Sequence, residues 1–264
     1  MNIDIVSDLH IDHWSNDIPC KYPYGVKKHF PLHVIKSDSD YLIVAGDISD
    51  DINLSVDYLN YISKYYKKIL FVDGNHEHVN NYPNLYDHDT IYNLINNEKI
   101  VFLSKSPYII NKKVFVGCCG WWDYCNEDRE IIKNDLKYFN KWIKDFKEKE
   151  SLEFIYNVIN RSREEYNILI ENLEKYTNND AIEEIIIVTH TIPDLKYSDV
   201  GSEGSQFNSK FKNICKYKKV TNWIFGHTHQ KFHDFFNNVK ITCNPRGRPD
   251  DFDREIYSIS KITI

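Results

Sequence analysis

Gly74-Asn75-His76-Glu77 follows the apolar run Ile69-Leu70-Phe71-Val72 and sets an amide, an imidazole and a carboxylate side by side. Alone, such a tetrad is a weak signal. It gains weight because the arrangement recurs along the chain. Asp8-Leu9-His10 follows Ile3-Asp4-Ile5-Val6, and Gly46-Asp47 follows Tyr41-Leu42-Ile43-Val44. His190 comes soon after Ile185-Ile186-Ile187-Val188, and Gly226-His227-Thr228-His229 follows Trp223-Ile224-Phe225. Five short apolar runs therefore lead into Asp, His or Asn, the side chains that bind divalent cations.

Runs of this length, apolar throughout and bounded by loops, read as strands covered on both faces. Between them the period becomes helical. Leu54, Tyr58, Tyr61, Ile62 and Tyr65 predict a helix over 52–67, and Leu85, Ile91, Leu94 and Ile95 predict another that opens at Pro83. Strands alternating with helices imply an α/β chain with mainly parallel strands, whose functional groups collect in loops at the strands' carboxyl ends. All the candidate ligands lie in such loops. Residues 107–118 read as a hairpin about Asn111-Lys112-Lys113, and 128–177 as a helical insertion. Its charge runs at 144–150 and 161–165 read as solvated faces. The proline- and aromatic-rich 13–39 reads as an irregular excursion over the site, 198–209 as a mobile loop and 209–218 as a Lys-rich helix. Antiparallel strands are expected at 231–236, 239–243 and 255–262. Without a repeat or linker, residues 1–264 are expected to form a single domain.

A hydrophobic content of 42% with 27% charge fits a globular chain with a full core. The net charge of -6 argues against long nucleic acid as a partner. No stretch approaches the roughly 18 apolar residues of a membrane span, and the N-terminus lacks a leader pattern, so an intracellular, cytoplasmic protein without a membrane partner is expected. The six cysteines include no Cys-x-x-Cys pair, which leaves buried or idle thiols rather than a zinc ribbon or a disulfide framework.

Asp8, His10, Asp47, Asn75, His190, His227 and His229 are more donors than one tetrahedral ion uses. They suit two cations sharing one carboxylate, and a pair about 3.5–4 Å apart is the usual apparatus for attack on a phosphate ester. Nitrogen and oxygen donors accept manganese, iron, zinc or nickel, with manganese preferred here. Asp4, Asp12, His13, His78, His88 and His233 read as ordinary hydrogen-bonding groups. Arg246, in the turn Asn244-Pro245-Arg246-Gly247, could clamp a phosphate bidentately, with Arg248 a weaker candidate. Trp121, Trp122 and Tyr124 could wall a pocket or pack in the core.

The ordered series Asp-x-His, Gly-Asp, Gly-Asn-His-Glu, His and Gly-His-x-His, spanning residues 8–229, resembles the calcineurin-like metallophosphoesterase superfamily. The resemblance implies a central mixed β-sandwich flanked by helices in four layers. It also implies that Asp8, His10 and His229 hold one metal and Asn75, His190 and His227 the other, with Asp47 bridging. In that family a metal-bridging hydroxide attacks phosphorus in line while the histidine matching His76 serves the leaving oxygen. Asp50 stands where the protein Ser/Thr phosphatase branch has the carboxylate that orients this histidine. Gly46-Asp47-Ile48-Ser49-Asp50-Asp51 departs from that branch's Gly-Asp-Tyr-Val-Asp-Arg-Gly. The expected function is therefore hydrolysis of a small or medium-sized phosphate ester, phosphodiester ahead of monoester. The alternatives are a protein phosphatase and a non-catalytic scaffold of the same fold.

Overall fold

Along β2 (Tyr41–Ala45) successive side chains face opposite ways, as strand geometry requires. Leu42 and Val44 join a cluster with Tyr58, Leu59 and Ile62 of helix α1 (Ile52–Ile62) and Ile91 and Ile95 of α2 (His88–Ile95). Ile43 and Ala45 join a different cluster, facing Phe115, Ile186, Val188 and Ile224 of a second sheet. In β7 (Glu184–Thr189) the division repeats, with Ile185 and Ile187 packed beneath Leu169, Leu173 and Tyr176 of the helical insertion. Each buried Ile or Leu of this kind contributes roughly 1.5–3 kcal/mol. The continuous apolar runs are thus the record of strands with a helix layer on one side and a sheet on the other. The result is a helix, sheet, sheet, helix sandwich.

This computed structural model describes residues 1–15, 38–142, 148–198, 203–251 and 257–264. The first sheet has the order β11-β1-β2-β3-β4, with β1 (Asn2–Val6), β3 (Lys68–Val72) and β4 (Ile100–Phe102) continuing β2 in parallel and β11 (Ser260–Thr263) antiparallel at the edge. The second has the order β5-β6-β7-β8-β10-β9. In it β6 (Lys113–Cys118), β7, β8 (Val220–Phe225) and β10 (Val239–Cys243) are parallel, while β5 (Tyr108–Ile110) and β9 (Phe232–Phe236) are antiparallel edges. Among the described residues no helix is long and apolar enough to cross a membrane.

Several local expectations shift. Residues 76–81 form a tight 3-10 turn, and α2 starts at His88 rather than Pro83 because the Asp87 side chain accepts the Thr90 amide at 2.6 Å. Residues 209–216 are a 3-10 segment in place of a regular helix. The insertion forms α3 (Arg129–Trp142) and α4 (Glu148–Thr177). Its charge run at 161–165 is only partly a solvated face, since Arg163 and Glu164 are exposed but Arg161 is 9% exposed and Glu165 is fully buried. The Glu165 carboxylate accepts the Gly120 and Trp121 amides at 2.7 and 3.1 Å, which joins α4 to the end of β6. The buried stripe of α4 runs through Phe154 and Val158, leaving Leu152 exposed. Most of the expected 13–39 excursion, part of the 144–150 run, residues 199–202 of the expected loop and the start of the last expected strand lie outside the described residues.

Candidate active site

The seven predicted ligands all occupy loops beyond the carboxyl ends of β1, β2, β3, β7 and β8. Asp8, His10, Asp47, His227 and His229 have φ between 41° and 75°, a left-handed region that costs a non-glycine residue about 1–3 kcal/mol. Interlocking bonds hold the loops there. The Asp8 amide donates to the Gly46 carbonyl at 3.0 Å, His10 to Asp47 at 3.2 Å and Gly226 to His190 at 2.9 Å, and the His227 amide donates to Asp8 Oδ1 at 2.8 Å. Gly46, at φ 78°, is where the two sheets' loops come closest, because a Cβ there would lie 2.6 Å from His190 Nδ1 and 2.8 Å from Gly74 Cα.

Two clusters result, one of Asp8, His10 and His229 and one of Asp47, His190 and His227. His10 Nε2 and His229 Nε2 are 2.9 Å apart, and His229 Nε2 is 3.7 Å from Asp8 Oδ1. His190 Nε2 lies 3.1 Å from Asn75 Oδ1, 3.1 Å from Asp47 Oδ2 and 3.2 Å from His227 Nδ1. Asp47 Oδ2 also lies 4.0 Å from His10 Nε2, so this one oxygen stands between the clusters. Its partner Oδ1 accepts the His76 amide at 2.8 Å.

The outer nitrogens of three of the four rings have acceptors, while His10 Nδ1 is buried with no hydrogen-bond partner among the described residues. His190 Nδ1 donates to the Ala45 carbonyl at 2.8 Å, His227 Nε2 to Ser205 at 3.0 Å, and His229 Nδ1 to Asp251 at 2.6 Å. These bonds select tautomers whose remaining nitrogens turn bare lone pairs inward. Lone pairs from imidazoles, an amide oxygen and carboxylates then face one another at about 3 Å, the spacing of donors around a cation with bonds near 2.1 Å. Buried Asp8 Oδ2 has no hydrogen-bond partner. The donor set fits two divalent cations. Among these donors burial pulls the His190 pKa down, but the Asp47 carboxylate outweighs it and pushes the ring up to about 10. Burial likewise pushes Asp47 up, yet the imidazoles of His190, His76 and His10 hold it well below the usual carboxylate range.

His76 stands beside the clusters, with Nε2 3.8 Å from Asp47 Oδ2 and Nδ1 2.5 Å from Asp50 Oδ1. Arg248 donates from Nη2 to His76 Nε2 at 3.0 Å, and a guanidinium can only donate, so the ring proton sits on Nδ1 toward Asp50. Although burial opposes it, bonds from His13 and His76 hold Asp50 well below its ordinary range. Glu77 acts on backbone. Its carboxylate takes the amides of Asp47, Ile48 and Gly74 at 2.7–2.9 Å and the Ser55 hydroxyl at 3.0 Å, fastening the β2 loop to the β3 loop.

Arg246 is placed elsewhere. Its guanidinium lies 3.9 Å over the Trp14 ring, a cation–π contact. Burial lowers its pKa to about 10, while Tyr257 and Tyr58 act the other way. Asp12 and His13, read as ordinary groups, flank Asp50, whose amide donates to Asp12 Oδ2 at 3.1 Å and whose Oδ2 is 3.5 Å from His13 Nε2. Asp4, His78 and His88 are bonded away from the site, to Tyr66, Asp73 and Glu165 respectively. His233 lies on an exposed part of β9. Trp121 and Tyr124 are buried in a core cluster with Trp122, whose ring also flanks His227 at 5.9 Å. Asp251 and Arg248 escaped the sequence reading of the ligand set because only the tertiary turn brings them there. The single hint was the concentration of charge in Arg246-Gly247-Arg248-Pro249-Asp250-Asp251.

Comparison with known proteins agrees with this geometry. A protein of Acanthamoeba polyphaga mimivirus, described as uncharacterized, is 22% identical over 268 residues, covering 92% of this chain and 89% of that one. The fold is similar to that of phosphopantetheinyl hydrolase from Mycobacterium tuberculosis, with a TM-score of 0.71 at 16% identity over 99% of this chain and 95% of that one. It is also similar to a dimetal phosphatase from Danio rerio, with a TM-score of 0.58 at 11% identity over 99% and 91% of the two chains. The family description of calcineurin-like phosphoesterases matches residues 1–231, a span that holds all the strand-end motifs. The chain belongs to the calcineurin-like phosphoesterase family and is a metal-dependent phosphoester hydrolase.

Proposed function

We propose that the protein hydrolyses a small or medium-sized phosphodiester at a dinuclear centre. Asp8, His10 and His229 hold one cation, Asn75, His190 and His227 the other, and Asp47 spans both. The observation that carries this reading is the position of Asp47 Oδ2, 3.1 Å from His190 Nε2 on one side and 4.0 Å from His10 Nε2 on the other. When bound, two divalent cations supply an acidified water and offset charge on the phosphoryl oxygens.

The chain's own groups do the rest. His76 faces the leaving oxygen through Nε2, while Asp50 accepts Nδ1–H and fixes the orientation of the ring. Replacing His76 by Ala is expected to lower kcat about 10²- to 10⁴-fold with the cations retained. The preference for a diester has an electrostatic basis. Asp8, Asp12, Asp47, Asp50 and Asp251 surround the site and Arg248 enters it. Two divalent cations bring that set to about neutrality, a field that favours a monoanionic diester over a dianionic monoester. An all-nitrogen-and-oxygen donor set suits manganese, with iron, zinc or nickel the alternatives.

The test is hydrolysis of bis(p-nitrophenyl) phosphate against p-nitrophenyl phosphate with manganese, using the wild type and Asn75→Ala, alongside metal analysis of the purified protein. Faster diester turnover that falls in the variant is expected. Faster monoester turnover would overturn the diester preference. Equal, negligible turnover of both esters in both proteins would favour a scaffold.

A further inference from the structure

The turn that follows β10 lies beyond residue 231, where the family match ends, yet it closes over the site. Its backbone is fastened to the end of β1. The Arg246 amide donates to the Ser7 carbonyl at 3.0 Å, the Gly247 amide to Asp8 at 2.8 Å, and Trp14 Nε1 to the Gly247 carbonyl at 3.0 Å. One carboxylate then serves two purposes. Asp251 Oδ2 accepts His229 Nδ1–H at 2.6 Å and the Arg248 amide at 2.6 Å, so the residue that orients His229 also fixes where the Arg248 side chain starts.

At the far end of that side chain, Nη2 donates to His76 Nε2 at 3.0 Å, and His76 Nε2 is 3.8 Å from Asp47 Oδ2. The adjacent donor, Nε–H, is buried and has no hydrogen-bond partner among the described residues. Nε and Nη2 form one edge of the guanidinium, two parallel donors spaced for two oxygens of a carboxylate or phosphate. A single imidazole nitrogen uses half of that edge. An unpaired buried N–H costs about 1–3 kcal/mol, and no acceptor among the described residues completes the edge.

Resting on the phosphoester-hydrolase reading, we propose that Arg248 grips the two non-bridging oxygens of the substrate phosphoryl group through its Nε–Nη2 edge. In the substrate-free protein the same edge rests on His76. Transfer of Nη2 from His76 to the phosphoryl group frees the His76 Nε2 lone pair to take a proton from solvent water and pass it to the leaving oxygen, which ties proton delivery to correct seating of the anion. Arg246 has no such freedom, since its guanidinium is stacked on Trp14.

The experiment measures binding of inorganic phosphate to the manganese-loaded full chain by calorimetry, next to kcat and KM for bis(p-nitrophenyl) phosphate. The proteins are wild type, Arg248→Ala, Arg248→Lys and Arg248→Gln, each checked for metal content and circular dichroism. Loss of a bidentate charged contact is expected to weaken phosphate binding about 10- to 100-fold in Arg248→Ala and Arg248→Gln, with Arg248→Lys between. Added guanidinium ion is expected to restore part of the turnover of Arg248→Ala. If Arg248→Ala does not fold, the longer Arg248→Gln and Arg248→Lys side chains carry the comparison. Phosphate affinity equal to wild type, with only kcat reduced, would make Arg248 a mere prop for His76 and overturn the proposal. Arg248-dependent phosphate binding in a wild type that hydrolyses neither aryl ester would instead leave the grip standing and remove the hydrolase reading.

Discussion

Glu77 shows how one residue sets the positions of others. Its carboxylate is fully buried and collects amides from Asp47, Ile48 and Gly74 together with the Ser55 hydroxyl. Glu77→Gln replaces one acceptor oxygen by an NH₂ group facing N–H donors. With one or two amides left unpaired, the folded state is expected to lose about 2–4 kcal/mol, read as a lower urea midpoint. An unchanged midpoint would show that the carboxylate is not the brace. Gly74 acts by absence. A Cβ there would lie 2.1 Å from Asp47 Oδ1 and 2.6 Å from the Asp47 backbone nitrogen. Gly74→Ala is therefore expected to displace Asp47 and to lower cation affinity at least about tenfold, measured by competition with a chromophoric chelator.

Among the elements, the strands were readable because a four-residue apolar run leading into a loop admits few other environments, and β2, β3 and β7 lie within a residue of the runs that marked them. Helix starts were less so. At α2 the Asp87 cap outweighs the Pro83 signal, a contest that spacing alone does not decide. The buried Glu165 defeated the reading of charge as solvated because its partners, the Gly120 and Trp121 amides, are 45 and 44 residues away in sequence. A related case on α3 gives a test. Burial pushes Asp135 from 3.8 up to about 6, while bonds from Ser205 and Tyr124 pull the other way. The folded state thus holds this proton more tightly than the unfolded chain does. The associated stability is complete below pH 3.8, declines as pH rises and is lost above about 6. Asp135→Asn is expected to match wild type near pH 4 and to exceed it by up to about 3 kcal/mol at pH 8, measured by urea unfolding at both values. Equal stability at pH 8 would contradict it.

On the scale of the whole molecule, the site is the junction of the two sheets. Asp8, His10, Asp47 and Asn75 come from loops of the first sheet, and His190, His227 and His229 from loops of the second. That is why these residues were legible in sequence as strand-end motifs, while of the two that reach the site through a turn fastened sideways to β1, Arg248 was read only as the weaker phosphate clamp and Asp251 was not read at all. The same geometry makes cation binding a property of the intact sandwich. Each cluster takes donors from both sheets, since His229 joins Asp8 and His10 while Asp47 joins His190 and His227. The unfolded chain has no such constellation, so cations bind the folded state and stabilise it by mass action, about 2.7 kcal/mol at a hundredfold excess over Kd. For a chain of this size that corresponds to roughly 5–10 °C in Tm. Thermal unfolding in excess manganese against excess chelator is expected to show that difference. Asn75→Ala, lacking one donor, is expected to show a smaller one. Coincident transitions with and without chelator would mean that the cations do not bridge the sheets.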